Sequence, residues 1–257
     1  VTGIHVRHWP GDPARPALAI HCMMGSGRAF DPMARRLHGR VDLRAFDLPS
    51  HGRSAKWQPA GDEDYHSAVT RIADGLLGDG PVDLIGHSIG GTIALRLAVA
   101  APQRVRSLTL IEPVLFAASR SGHALDDELA ALAAAGEMEQ AARLFLSVWG
   151  GPGGFEAMPR SMQQSATALM SLILETDAAL SADVHGILRP GGLEAVRAPA
   201  MLIAGAESPP VVGEIFDRLA ARPPDARRAT VPQAGHMAPV THPDEVAELV
   251  AVNLDRA

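Results

Sequence analysis

A serine held between a strand and a helix limits this chain more than any other feature. Pro81-Val82-Asp83-Leu84-Ile85 is a short apolar run of strand type, Gly86-His87-Ser88-Ile89-Gly90-Gly91 follows at once, and residues 92–100 form an apolar helical run. The turn between them is too sharp for bulk two positions either side of Ser88, and Gly86 and Gly90 supply the room. In that setting the Gly-x-Ser-x-Gly pattern is specific, because the strained turn lifts the hydroxyl clear of the backbone. The hydroxyl stands at the carboxyl edge of a sheet, with a helix N-terminus behind it. Backbone N–H groups and the helix dipole there favour negative charge.

Strand-like and helical segments alternate on both sides of that turn. Strands are predicted at 3–9 (an edge strand), 17–20, 41–46, 107–111, 200–204 and 228–231. Helices are predicted at 30–38, 64–77, 126–135, 138–149, 162–174, 211–221 and 244–254. Asp31 is the expected N-cap of the first, with Pro32 at its first position. This order implies an α/β fold, a doubly wound and mostly parallel sheet covered on both faces. No strand is predicted within 114–193, so that stretch is a helical insertion over one edge of the sheet, interrupted by Gly150-Gly151-Pro152-Gly153-Gly154. The core then comprises residues 1–113 and 194–257.

Composition removes several function classes. An apolar content of 47% over 257 residues is ample for one large core. The net charge of −6 and the scattered basic residues do not suit a nucleic-acid surface. No apolar run is long enough to span a membrane. A single cysteine, Cys22, rules out an internal disulfide and a cysteine-based zinc site, and no histidine pair has metal-binding helical spacing with a neighbouring glutamate. No charged-then-apolar leader pattern opens the chain. The expected setting is the cytoplasm, with a small-molecule substrate, no metal and no cofactor. The oligomeric state is left open.

A serine hydroxyl needs a base within hydrogen-bond reach and an acid to orient that base. His236 is the best base, since the loop after the last strand of a doubly wound sheet opens at the same edge as Ser88. A developing oxyanion also needs donors. The N–H of Ile89 follows the nucleophile, and the N–H of Met23 is the choice from the loop after strand 17–20, where Gly25-Ser26-Gly27 lets the chain turn back. His87 points away from the reacting centre on so tight a turn and shapes the pocket or bonds locally. His21, at the end of its strand, is read as structural.

Four stretches carry a family resemblance: His21-Cys22-Met23-Met24-Gly25-Ser26, Asp47-Leu48-Pro49-Ser50-His51-Gly52-Arg53-Ser54, Gly86-His87-Ser88-Ile89-Gly90-Gly91 and Gly235-His236-Met237. In this order they resemble α/β-hydrolase fold proteins of the esterase, lipase and haloperoxidase-like group. The resemblance implies that the insertion is a cap. Two departures stand out. Cys22 occupies a place where glycine is usual, which would narrow the site. The usual acid follows strand 200–204, three positions after glycine, and here that position is Ser208. Glu112, ending strand 107–111, is favoured in its place, with Glu207 as the alternative; Asp47 is read as a loop carboxylate capping a turn. Cys22, His87, Trp149 and Met237 are expected to line the substrate site. The expected reaction is hydrolysis of a carboxylic ester, lactone or thioester of a small to medium apolar acyl group through an acyl-enzyme. Carbon–carbon bond hydrolysis, perhydrolysis, acyl transfer and ligand binding with little turnover are the rival readings.

Overall fold

Seven strands form one sheet in the computed structural model, which describes residues 3–121 and 125–257. In chain order they are β1 (Val6–Trp9), β2 (Pro16–Ile20), β3 (Asp42–Phe46), β4 (Val82–His87), β5 (Val105–Ile111), β6 (Ala200–Gly205) and β7 (Ala226–Val231). The spatial order is β1-β3-β2-β4-β5-β6-β7. Only β1, at the edge, runs antiparallel to its neighbour; all other pairings are parallel. This is the mostly parallel sheet that the alternation of strands and helices implied.

The helices follow from which side chains each strand sends to which face. Leu18 and Ile20 of β2, Leu84 of β4, and Leu108 and Leu110 of β5 share one buried cluster with residues of α2 (Tyr65–Asp74), α3 (Ile89–Ala100) and α7 (Pro210–Ala220). Ala17 and Ala19, Ile85 and Ile111 fall on the opposite face, against α1 (Asp31–Arg36) and α9 (Pro243–Leu254). The period-2 alternation therefore builds both interfaces from the same strands.

Between β5 and β6 the described residues form α4 (Asp126–Ala134), α5 (Met138–Trp149), α6 (Arg160–Ser181) and short 3-10 turns, with no strand among them. Leu129, Ala142, Leu146, Phe155 and Met170 form a small core of their own there. Trp149, Leu172 and Leu180 instead join the main core. A carboxylate also ties the insertion down, since Glu175 of α6 accepts from the backbone N–H of Tyr65 at 2.9 Å.

Several helix ends differ from expectation, α1 and α2 stopping earlier, at Arg36 and Asp74. The helix at 162–174 continues to Ser181 because the polar run Glu175-Thr176-Asp177 holds no breaker and Ala179 and Leu180 restore the buried stripe. Asp31 is not an N-cap: Phe30 holds that place, and the Asp31 carboxylate accepts from Arg7 at 2.8 Å instead. A short helix that was not expected, α8 (Ala238–Thr241), precedes α9.

Candidate active site

Ser88 is the one residue between β4 and α3, with φ 58° and ψ −122°. Such a backbone costs of order 1–3 kcal/mol for a residue with a side chain. Its surroundings enforce it. A Cβ on Gly86 would lie 2.3 Å from the Gly90 carbonyl oxygen, and one on Gly90 would lie 2.1 Å from that of Ile20. The Ser88 N–H donates to Ile111 of β5 at 2.9 Å, which pins the turn to the next strand.

That strand delivers the carboxylate. Glu112 directly follows β5, is fully buried, and has φ 46°. Its N–H donates to Ile203 of β6 at 3.0 Å. One carboxylate oxygen accepts from His236 Nδ1 at 2.7 Å. The other accepts from the Gly205 N–H at 2.7 Å and from the Ser208 hydroxyl. Burial by itself would push this carboxyl up, but the bonds from His236, Ser208 and Gly205 hold it below the ordinary glutamate value. With Nδ1–H committed to Glu112, Nε2 of a neutral His236 is left to take a proton. Glu207 stays exposed at the surface, in the wall of an outer cleft. Ser208 holds the position where an acid was looked for and instead reaches the Glu112 carboxylate as a donor.

The loop after β2 is fixed by two buried histidines. His21 donates from Nδ1 to the Cys22 carbonyl at 2.7 Å and accepts at Nε2 from the Leu48 N–H at 2.9 Å. His51 accepts at Nε2 from the Met24 N–H at 3.0 Å and donates from Nδ1 to Pro49 at 3.0 Å. Together they set the peptide planes around Met23. The role of His51 was missed in the sequence; its only signal is its place beside Gly52 in the Asp47–Ser54 stretch. The Asp47 carboxylate accepts from the N–H groups of Gly27 and Arg53, each at 2.8 Å, and so bonds the turn it opens.

His87 points beneath the sheet edge. Its Nε2–H donates to the carbonyl of His236 at 2.9 Å, and the two rings lie 5.1 Å apart. Burial first, and His236 second, push its pKa down to about 3, so it is a neutral clamp on the His236 loop.

A cavity of about 320 Å³ opens at Ser88. Met23, Ile89, Leu129, Phe145 and Trp149 make much of its wall, and Asp126, Thr176 and Asp177 give it one polar stretch. Of the residues expected around the substrate, Trp149 lines this cavity, while Cys22 and His87 do not, and Met237 lies in the outer cleft. His87 is turned away by its bond to His236. Cys22 packs behind the loop, where a Cβ on Gly25 would come within 3.0 Å of its Sγ. Burial pushes the Cys22 thiol up to about 12, which leaves it without nucleophilic thiolate at neutral pH. Among the described residues no group of three or more His, Cys, Asp or Glu side chains is placed to hold a metal ion. None of the described helices is long and apolar enough to cross a membrane.

These buried histidines make stability depend on pH. His21, His66 and His87 are each pushed down to about 3, by burial first. An unfolded histidine titrates near 6.5. Between those values the unfolded chain binds more protons, so their contribution is whole above about pH 6.5 and is lost as pH falls. Each histidine adds a slope of up to about 1.4 kcal/mol per pH unit in that window. Glu112, held below its ordinary value, acts in the same direction at the acid end. The melting temperature should therefore drop steeply from pH 6.5 to 4; a flat profile over that range contradicts this account.

A model described as the Alpha/beta hydrolase family matches residues 17–249. Lipase LipV of Mycobacterium tuberculosis is 38% identical over 116 residues, 45% of this chain and 43% of that one. A pimeloyl-[acyl-carrier protein] methyl ester esterase of Neisseria meningitidis is 35% identical over 99 residues, 38% of this chain and 30% of that one. The matches thus span less than half the length of these curated relatives. Among solved structures, a bromoperoxidase from Bacillus anthracis superposes with a TM-score of 0.76 at 18% identity, covering 98% of this chain and 95% of that one. The enol-lactonase from Burkholderia xenovorans LB400 gives 0.71 at 19%, covering 98% and 96%. At such identities the likeness concerns the fold.

Proposed function

The chain belongs to the alpha/beta hydrolase family, and we propose on that footing that it hydrolyses carboxylic esters, or their lactone or thioester relatives, through an acyl-enzyme on Ser88. The observation that carries this is the buried bond from His236 Nδ1 to Glu112, at 2.7 Å, beside the strained turn that presents Ser88. A protein that merely captures a ligand has no use for a carboxylate held charged in the core at that place.

In this reading the Ser88 oxygen attacks the substrate carbonyl and His236 Nε2 takes its proton. Glu112 holds the imidazole in the right tautomer and supports its positive charge. The N–H groups of Met23 and Ile89 receive the oxyanion, an effect of about 3 kcal/mol per donor in known cases. His236 then protonates the leaving group, and water, deprotonated by the same nitrogen, releases the acid. The helical insertion acts as a cap over an apolar acyl site. Its volume, about 320 Å³, is at the small end of ligand cavities, which suits small to medium acyl groups. The ester- and lipase-type names of the sequence relatives point the same way.

The test is labelling by a fluorophosphonate, read by mass spectrometry, with a panel of aryl esters of graded acyl length. One label per chain on Ser88 and turnover of the shorter apolar esters are expected; folded protein that takes no label sinks the reading. The same panel examines the polar stretch of the wall. Asp126 and Asp177 should slow an acyl chain ending in a carboxylate by about tenfold in kcat/KM against its neutral isostere, a penalty of about 1.4 kcal/mol. Equal rates would remove them from the acyl site.

A further inference from the structure

The two reacting side chains border different cavities. Ser88 is in the wall of the apolar cavity; His236 is in the wall of an outer cleft of similar size, about 320 Å³. The end of α5 is the partition between them. Trp149 lines the apolar cavity and sets its ring against His236, with centroids 4.8 Å apart at 75°, while its neighbours Val148 and Gly150 line the cleft.

The reaction gives each side a task. The acyl group stays on Ser88, whereas the departing alkoxide collects its proton from His236. If the apolar cavity holds the acyl group, the alcohol portion lies on the side that His236 borders. That side is the more polar: Glu207, Gln233, Thr241 and His242 contribute to its wall, Glu207 is its carboxylate, and its lining, like that of the apolar cavity, includes no lysine or arginine. Glu207 is also held in place relative to the base, because its N–H donates at 2.8 Å to Ala234, two residues before His236. The charge of Glu112 lies directly behind the same imidazole.

We infer that the outer cleft is the leaving-group subsite and that Glu207 selects alcohols bearing a positive charge, such as amino alcohols or their quaternary ammonium forms. This rests on the ester-hydrolase reading above. It gives Glu207 a task in substrate selection, in place of the triad role considered for it from the sequence.

The experiment uses esters of one acyl group with three alcohols of matched size: cationic, neutral and anionic. At low ionic strength the wild type should favour the cationic over the neutral ester by about fivefold in kcat/KM, and the neutral over the anionic by a similar factor, with the spread shrinking as salt is added. Glu207→Gln should reduce the cationic-to-neutral ratio to within about twofold, and Glu207→Lys should reverse it. A wild type indifferent to alcohol charge, or a preference that survives both substitutions, overturns the assignment. Fluorophosphonate labelling of Ser88 on the same preparations separates the two levels. Labelled enzyme with no charge preference defeats this inference alone, while unlabelled folded enzyme defeats the hydrolase reading and this inference with it.

Discussion

Ser88→Ala is expected to lower kcat/KM on an activated aryl ester by about 10⁶-fold, the size of effect seen when a triad serine is removed elsewhere. Fluorophosphonate labelling should vanish with it. What remains would be the contribution of binding and the oxyanion donors alone. The fold should survive, because Ser88 is held by its backbone: its N–H bonds Ile111, and its dihedrals are imposed by Gly86, Gly90 and the ends of β2 and β4. Alanine does not relieve the φ of 58°. Glycine does, and Ser88→Gly should be equally inactive yet more stable, by about 1 kcal/mol once glycine's extra freedom in the unfolded chain is set against the strain released. For a chain of this size that is a rise of about 2–4 °C in melting temperature. Retained activity in the alanine variant, or a lower melting temperature in the glycine variant, would count against strain held for function at this turn.

Glu112→Gln should reduce kcat by about 10⁴-fold, as expected when the partner of the imidazole can no longer hold the productive tautomer or its charge. The side chain keeps its shape, and an amide can still meet the Gly205 N–H, so the loss should fall on kcat more than on folding. Ser208→Asp placed in that background should restore about tenfold or more of the lost rate. Position 208 already reaches the Glu112 carboxylate through its hydroxyl, and it approaches from the end of β6, where family members usually carry the acid. Near-normal activity of Glu112→Gln would remove Glu112 from the triad. An inactive double variant that folds would mean that the two positions do not converge on His236.

The strands and their order of appearance were legible in the sequence because most are short apolar or alternating runs between turn residues, and local pattern carries that information. The length of α6 was not, because Glu175, Thr176 and Asp177 look like a stop when solvent is assumed, whereas Thr176 is buried and Glu175 bonds Tyr65 across to α2. Placing Asp31 as a cap failed for a similar reason: Arg7, distant in sequence, takes its carboxylate. At the site, the place of Ser88 between strand and helix followed from spacing, and the loop after the last strand pointed to His236, which bonds Glu112. His51 gave little sign of itself, since its bond to the Met24 N–H joins two loops brought together only by the pairing of β2 with β3.

The sequence by itself determined the strained turn at Ser88, the alternation that requires a parallel sheet, and the histidine loop that must open at the same edge. All three depend on residues near one another in the chain. Which carboxylate meets His236 was decided only by the tertiary structure. Parallel register sets Glu112 beside β6, and three donors from two segments, Gly205 and Ser208 at the end of β6 and His236 after β7, offset the cost of burying its charge. The tertiary structure likewise decided that Cys22 and His87 face away from the cavity, and that Trp149, from the far insertion, stands against His236. Such outcomes turn on desolvation and on contacts across the whole chain, which no local pattern records.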